Sequence, residues 1–327
     1  MLFSIVVLSY NRPAQVERIL KNLVGVGAGD FNVVIKDDVS PRLPEIKDVV
    51  ESYRPRLDIE LVLHVNESNL GYDRNLMDSF NIVNSHYVFL LSDDDYIDGA
   101  VIPQLVDLLK KKEFSFYLTP YTVDGVVNRS FHSDYNVNRF ADFIYNSILF
   151  SGLIFDREKV LLLEKDELFL SACIYSQVYL ASVLVFQEGG FGFCPKHLLI
   201  LGGDGENFFG KNQSAENSDL LADRSKITSD LDYQGFLLRV VDEIASKTNR
   251  KVKKLFRREY IKRLISYGLK VRALGLKPYF IFFKHYLSSS FQRSVIPTLS
   301  FFLIAFIPGF LSEKIYKVGV SFLRKAG

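Results

Sequence analysis

Asp93, Asp94 and Asp95 stand in a row one residue after the apolar run Tyr87-Val-Phe-Leu-Leu. Three carboxylates so close repel one another unless positive charge sits among them. A hard divalent cation that keeps some waters and also holds a substrate phosphate would supply that charge. The bland alternative is a solvated turn that caps the next helix. The run in front argues for the ion. So short and so apolar, it reads as a strand buried on both faces, and open α/β sheets bind ligands at the C-terminal ends of such strands.

Two further polar clusters close apolar runs upstream. Leu2–Leu8 ends in Ser9-Tyr10-Asn11-Arg12-Pro13, and Phe31–Lys36 ends in Asp37-Asp38-Val39-Ser40-Pro41. Both runs are rich in β-branched residues and read as strands. Pro13 suits the first turn of a helix, and Val16, Ile19, Leu20 and Leu23 give Ala14–Leu23 helical spacing. A helix is expected over Glu45–Tyr53, a strand over Glu60–Val65, a polar loop over Asn66–Tyr72 and a helix over Asp73–Val83. The order β-α-β-α-β-α-β predicts an α/β fold with a mostly parallel sheet and flanking helices. Three polar clusters then share one sheet edge. Past the triple Asp, Ala100–Lys112 reads as a helix and Phe114–Thr119 as a strand. Residues 120–146 read as a loop without clear period, and Leu149–Phe155 as a strand in which Gly152 permits close backbone approach.

Four segments carry a resemblance: Val-Val-Leu-Ser-Tyr-Asn-Arg (6–12), Val-Ile-Lys-Asp-Asp-Val-Ser (34–40), Asn-Leu-Gly-Tyr-Asp-Arg-Asn (69–75) and Phe-Leu-Leu-Ser-Asp-Asp-Asp-Tyr-Ile (89–97). Their order and spacing resemble the family 2 glycosyltransferases of GT-A fold (Rossmann-like nucleotide-diphospho-sugar transferases), strongly over residues 1–105 and weakly to about 215. The resemblance implies a nucleotide-diphosphate sugar donor, a divalent cation (Mn2+ or Mg2+) and inversion at the anomeric carbon. It implies that Leu8, Tyr10, Arg12, Asp38, Asn69, Arg74, Asp93 and Asp94 line the donor. Asp38 matches the carboxylate that reads a uracil or thymine ring, whose N3–H a carboxylate can accept, so a UDP- or dTDP-type donor is favoured. Arg74 offers a fork to phosphate or carboxylate. Asp95 aligns with the direct metal ligand, with Asp93 as its partner. Ser92 stands where many relatives have the first Asp. Gly152 resembles part of the small-residue strand near the acceptor.

An inverting transfer needs a base to take the acceptor proton. Where the family has Glu-Asp, this chain reads Ser176-Gln177, and neither is a base. Gln177 is a candidate for acceptor binding instead. Asp204, in Gly202-Gly203-Asp204-Gly205-Glu206, is the candidate base, with Glu206, Glu167 and Glu188 as alternatives. His132 and His197 are lone histidines of structural type.

The chain has 327 residues, ordinary globular composition, and two cysteines, Cys173 and Cys194. That count excludes a disulfide framework or zinc site and suits a reducing cytosol. Leu2–Leu8 lacks the basic flank of a signal peptide. From Arg250 onward there are 17 Lys and Arg against 2 Glu, although the whole chain is only +2. This basic region interleaves with aromatics (Tyr279, Phe280, Phe282, Phe283) and with the apolar run Val295–Leu311. That run is marginal for a span of about 20 residues and is interrupted by Pro297, Pro308 and Gly309. Basic residues beside aromatic ones fit a helix lying on an anionic membrane surface. A helical subdomain or oligomer contact is the alternative, and no nucleic-acid motif is present. Two domains are expected: residues 1–225 for catalysis, and 226–327 as a helical region for membrane association or oligomerisation. The expected function is sugar transfer to a lipid-linked glycan in bacterial surface polysaccharide synthesis, as for O-antigen or capsule. The enzyme would lie peripherally on the cytoplasmic face of the cell membrane. A sugar-phosphate nucleotidylyltransferase and a non-catalytic membrane scaffold are the alternatives.

Overall fold

A computed structural model describes residues 1–27, 29–123, 126–129, 140–202, 224–248, 250–289 and 294–325. The chain forms two compact units, Met1–Gly205 and Glu206–Gly327. The sequence reading places this division at residue 225.

The first unit is built on β1 (Phe3–Ser9), α1 (Pro13–Leu23), β2 (Phe31–Asp37), α2 (Leu43–Tyr53), β3 (Glu60–Val65), α3 (Gly71–Asp78) and β4 (Tyr87–Ser92). β1 lies parallel to both β2 and β4, and β3 is parallel to β2. Every residue of β1 and β2 is buried, as continuous apolar runs covered on both faces should be. The register sets Leu8 beside Lys36 and Ser92, so all three strands stop at one level and hand the chain to their polar clusters.

Beyond β4 the chain makes β5 (Tyr96–Ile97), α4 (Ile102–Lys110), β6 (Phe116–Leu118), β7 (Tyr121–Val123), β8 (Val126–Asn128) and α5 (Phe140–Asn146). Then follow β9 (Leu153–Asp156), α6 (Arg157–Leu162), α7 (Glu167–Leu170), α8 (Ser176–Glu188), β10 (Gly192–Phe193) and β11 (Leu199–Ile200). The main sheet runs β10-β6-β9-β4-β1-β2-β3, and a small sheet runs β5-β11-β7-β8. β9 is the antiparallel member, inserted between β4 and β6.

Three differences from the sequence reading have local causes. α3 begins at Gly71 rather than Asp73 and ends at Asp78, where i−3 turn bonds from Ser79, Phe80 and Asn81 replace the helix. The stretch 120–146 holds the β7–β8 hairpin and α5. The Gly152 strand begins only at Leu153, because residues 146–152 are turned about a buried arginine.

In the second unit, α9 (Arg224–Lys247), α10 (Arg250–Ala273), α11 (Leu276–Ser288), α12 (Val295–Ala305) and α13 (Gly309–Lys325) form a helical assembly in which α10 touches each of the other four. The apolar run Val295–Leu311 is broken at Pro308-Gly309. Among the described residues no helix is long and apolar enough to cross a membrane.

Candidate active site

Asp93, Asp94 and Asp95 form the turn between β4 and β5, closed by Asp95 N–H donating to Ser92 O at 3.2 Å. Asp93 is buried and both its oxygens are engaged. Oδ2 accepts Tyr10 N–H at 3.0 Å, and Oδ1 accepts Arg12 Nη1 at 2.7 Å. The same Arg12 nitrogen is 3.2 Å from Asp94 Oδ2. The β1 and β4 clusters are therefore one structure, tied by a guanidinium. Burial still pushes Asp93 up to about 7, against the pull of Arg12 and Tyr10 N–H.

Asp95 is the other buried carboxylate. Its Oδ1 accepts Gly202 N–H at 3.1 Å, and the Ser151 hydroxyl is bonded to it. Burial raises it to about 6; Ser151 opposes that shift and the neighbouring Asp94 adds to it. Gly202 arrives because β11 pairs antiparallel with β5, Ile200 opposite Tyr96. A Cβ on Gly202 would fall 1.8 Å from Asp94 O, so only glycine fits. Arg18 braces the outside of the turn, donating Nη2 to Asp94 O at 2.8 Å and lying over the Tyr96 ring at 4.8 Å.

Asp38 organises the neighbouring cluster. Its Oδ1 accepts Leu70 N–H and Asn66 Nδ2, each at 2.7 Å, and Oδ2 accepts Gly71 N–H at 2.9 Å. Asn69 Nδ2 donates to Asp38 O at 3.0 Å. Asp38 thus caps α3 from a distant strand end, where a carboxylate satisfies free N–H groups. Asp37 bonds Ser40 N–H at 2.8 Å, and Ser40 Oγ accepts Asn11 N–H at 2.7 Å. Beneath, the fully buried Lys36 Nζ reaches Asn66 and Asn75 Oδ1 at 2.8 and 2.5 Å and Asp78 at 3.1 Å. Burial lowers its pKa. Asn69 and Arg74 are exposed beside this cluster.

The structure therefore unites Leu8, Tyr10, Arg12, Asp93, Asp94 and Asp95 on one strand edge, with Asp38 and Asn69 at the next strand. Gly152 has φ +78, and Thr119 Cβ and Leu199 Cδ2 occupy the space a side chain would need. Gln177 is buried at the start of α8, where Nε2 donates to Ile148 O at 2.7 Å and Oε1 has no hydrogen-bond partner among the described residues. Asp204, Glu206 and His132 lie outside the described residues.

Arg129 is the residue that sequence reasoning misses. It is buried, at φ 57, and donates to the carbonyls of Asn146 (2.9 Å), Thr119 (3.2 Å), Ser151 (2.7 Å) and Leu149. Burial pushes it down to about 10, opposed by the Tyr121 ring and the Asp95 charge. Through Ser151, whose hydroxyl also accepts Ser92 N–H at 3.0 Å, it fixes the floor under Asp95. Nothing in a polar, aperiodic stretch marks one arginine out for this position.

The model of the family described as Glycosyl transferase family 2 matches residues 4–166. The chain belongs to that family. The sugar-phosphate nucleotidylyltransferase reading gives way to it, and the chain is a glycosyltransferase. No curated protein matches this transferase by sequence. Two of the solved structures that share its fold illustrate the likeness. The Staphylococcus aureus TarS fragment 1–349 in complex with UDP is 15% identical, with a TM-score of 0.52, over 90% of this chain and 94% of that one. The mannosyltransferase PcManGT from Pyrobaculum calidifontis, in complex with GDP-Man and Mn2+, is 12% identical, with a TM-score of 0.54, over 98% of this chain and 86% of that one.

Proposed function

We propose that this glycosyltransferase moves a sugar, with inversion and with a divalent cation, from a pyrimidine nucleotide-diphosphate donor to a hydroxyl of a lipid-linked glycan in bacterial surface polysaccharide synthesis. The observation that carries the donor and metal reading is the contrast within the triple Asp. Asp93 is bonded directly by the Arg12 guanidinium, whereas Asp95 is bonded only by neutral donors and feels Arg129 as a charge that is not bonded to it; burial raises both. A buried carboxylate with no cation bonded to it suits a hard cation, so Asp95 would hold Mn2+ or Mg2+. Asp93 then holds the Tyr10–Arg12 turn against the donor. The bound ion would act as a Lewis acid on the departing diphosphate.

Asp38 suits the pyrimidine. A carboxylate has about four acceptor sites; Asn66, Leu70 and Gly71 use three, which leaves one on Oδ2 for an N3–H. Asn69 and Arg74 stand beside it toward solvent, and Asp204 is kept as the proposed base. The bound ligands named for the two solved structures, UDP in one and GDP-Man with Mn2+ in the other, support a nucleotide-sugar donor with metal.

The test is a thermal shift of the full chain with UDP, dTDP and GDP, each with and without Mn2+, beside Asp95→Asn. A ligand at 100 times its Kd stabilises by about 2.7 kcal/mol, which is about 5–10 °C for a unit the size of Met1–Gly205. A shift with UDP or dTDP that needs Mn2+ and vanishes in Asp95→Asn is expected. A shift independent of metal overturns the metal reading. No shift with any nucleotide favours the non-catalytic scaffold.

A further inference from the structure

The second unit turns apolar side chains outward. On α12 and its C-cap, Val295, Ile296, Leu299, Phe302, Leu303 and Phe306 are each 57–74% exposed. Their spacing, at i, i+4, i+7 and i+11 with two neighbours, puts all six on one side of an α-helix. The opposite side, Pro297, Phe301 and Ile304, is buried. α12 is therefore apolar on both of these sides, yet only one of them has a partner inside the unit.

The buried half is firmly seated. The Phe301 ring meets Phe282 and Tyr286 edge-on, each at 4.9 Å between centroids, and Tyr279 OH donates to Phe301 O at 2.5 Å. Gly268 of α10 makes room for that ring, since a Cβ there would lie 2.6 Å from it. The helix cannot roll its outer face inward without dismantling this box. Monomeric soluble proteins rarely expose so large a contiguous apolar face without a partner for it.

Charge identifies the partner. On α11 the exposed Leu276 and Phe280 share a side with the exposed Lys277 and Lys284, and on α13 Phe310 and Leu311 lie beside Lys314. Apolar tips with lysines at their margin match the boundary between lipid acyl chains and anionic headgroups. A second copy meeting this face across a two-fold axis would bring lysine margins of like charge together. A span is also unsuited, because the 11 residues of α12 rise only about 16 Å against a hydrocarbon core of about 30 Å.

We propose that the outer face of α12, with the lysines of α11 and α13, docks the second unit onto an anionic bilayer, with the helix lying flat in the interface. This needs no donor or metal, so it stands apart from the catalytic reading. The test is sedimentation of the full chain with phosphatidylcholine vesicles containing or lacking 30% phosphatidylglycerol. The comparison variants are Leu299→Glu/Phe302→Glu and Lys277→Glu/Lys284→Glu, all with surface side chains and checked for unchanged Tm. Binding to the anionic vesicles is expected, weakened at least about tenfold by the glutamates on α12. Each lysine reversal costs about fivefold or more on anionic vesicles alone. Equal binding by wild type and the α12 variant overturns the proposal. So does a wild type that ignores vesicles, including one that forms a dimer lost in the α12 variant.

Discussion

Replacing Arg129 by leucine separates positioning from the rest of the site. Four backbone carbonyls lose a charged donor, at about 1.5 kcal/mol each for the weaker bonds of that kind. Against this, burying the guanidinium is itself costly. Its fall to about 10 from the ordinary arginine value corresponds to roughly 3 kcal/mol. The net expected loss is therefore about 3 kcal/mol, or about 6–12 °C in Tm. Asp95 would also lose the anchored Ser151 that is bonded to it, a loss of positioning that outweighs the removal of a positive charge from beside the proposed ion. The apparent affinity for Mn2+, read from Mn2+-dependent stabilisation by nucleotide, should fall about tenfold. Arg129→Lys restores a positive charge as a point, without the planar fork. It should recover little of the stability and little of the Mn2+ affinity, because a point charge does not rebuild the four-carbonyl anchor that holds Ser151. A leucine variant within about 2 °C of wild type, with unchanged Mn2+ affinity, would refute the reasoning.

Two further outcomes follow from the same turn. The folded carboxyls of Asp93 and Asp95, raised to about 7 and about 6, hold protons that the unfolded chain releases near pH 4. Their contribution to stability is full below that pH and is lost as pH rises through 6 and 7. Urea denaturation of metal-free protein should thus show roughly 4 kcal/mol less stability from these groups at pH 8 than at pH 5. The double variant Asp93→Asn/Asp95→Asn should flatten that slope, and an unchanged slope would count against the burial argument. Gly202→Ala drives a methyl group into Asp94 O. Turnover of the donor should drop at least about tenfold, by the bound of a 1.4 kcal/mol disturbance, while Tm moves little; wild-type turnover would mean that the loop has room to retreat.

The parallel half of the first unit is legible in the sequence because its strands are buried on both faces and must be apolar throughout. β3 matches its expected span residue for residue, and β1, β2 and β4 match within one residue. The edge cluster is legible for the complementary reason: a buried strand cannot end in carboxylates without a purpose. What escapes is whatever depends on a distant partner. α3 starts where Asp38 supplies its cap, and α8 starts where Asp73 accepts Ile174 and Ser176 N–H at 2.6 and 3.3 Å. Neither helix carries that signal in its own residues. Arg129 is hidden for the same reason, since its four acceptors are carbonyls, which every residue has.

The bond between Asp95 and Gly202 spans 107 residues. Chains emerge N-terminus first and fold as they emerge, and contacts of long sequence separation close late. The nucleotide edge, built from residues 8 to 95, can assemble while β11 is still unmade. The pocket that holds Asp95 cannot, because its lid of Ile200 and Gly202 comes from the last stretch of the unit. Nascent chains thus pass through an interval in which the strand edge exists and the acidic turn is open to water. The proposed competence for metal would then be acquired in one of the unit's final steps, after most of the sheet is already in place.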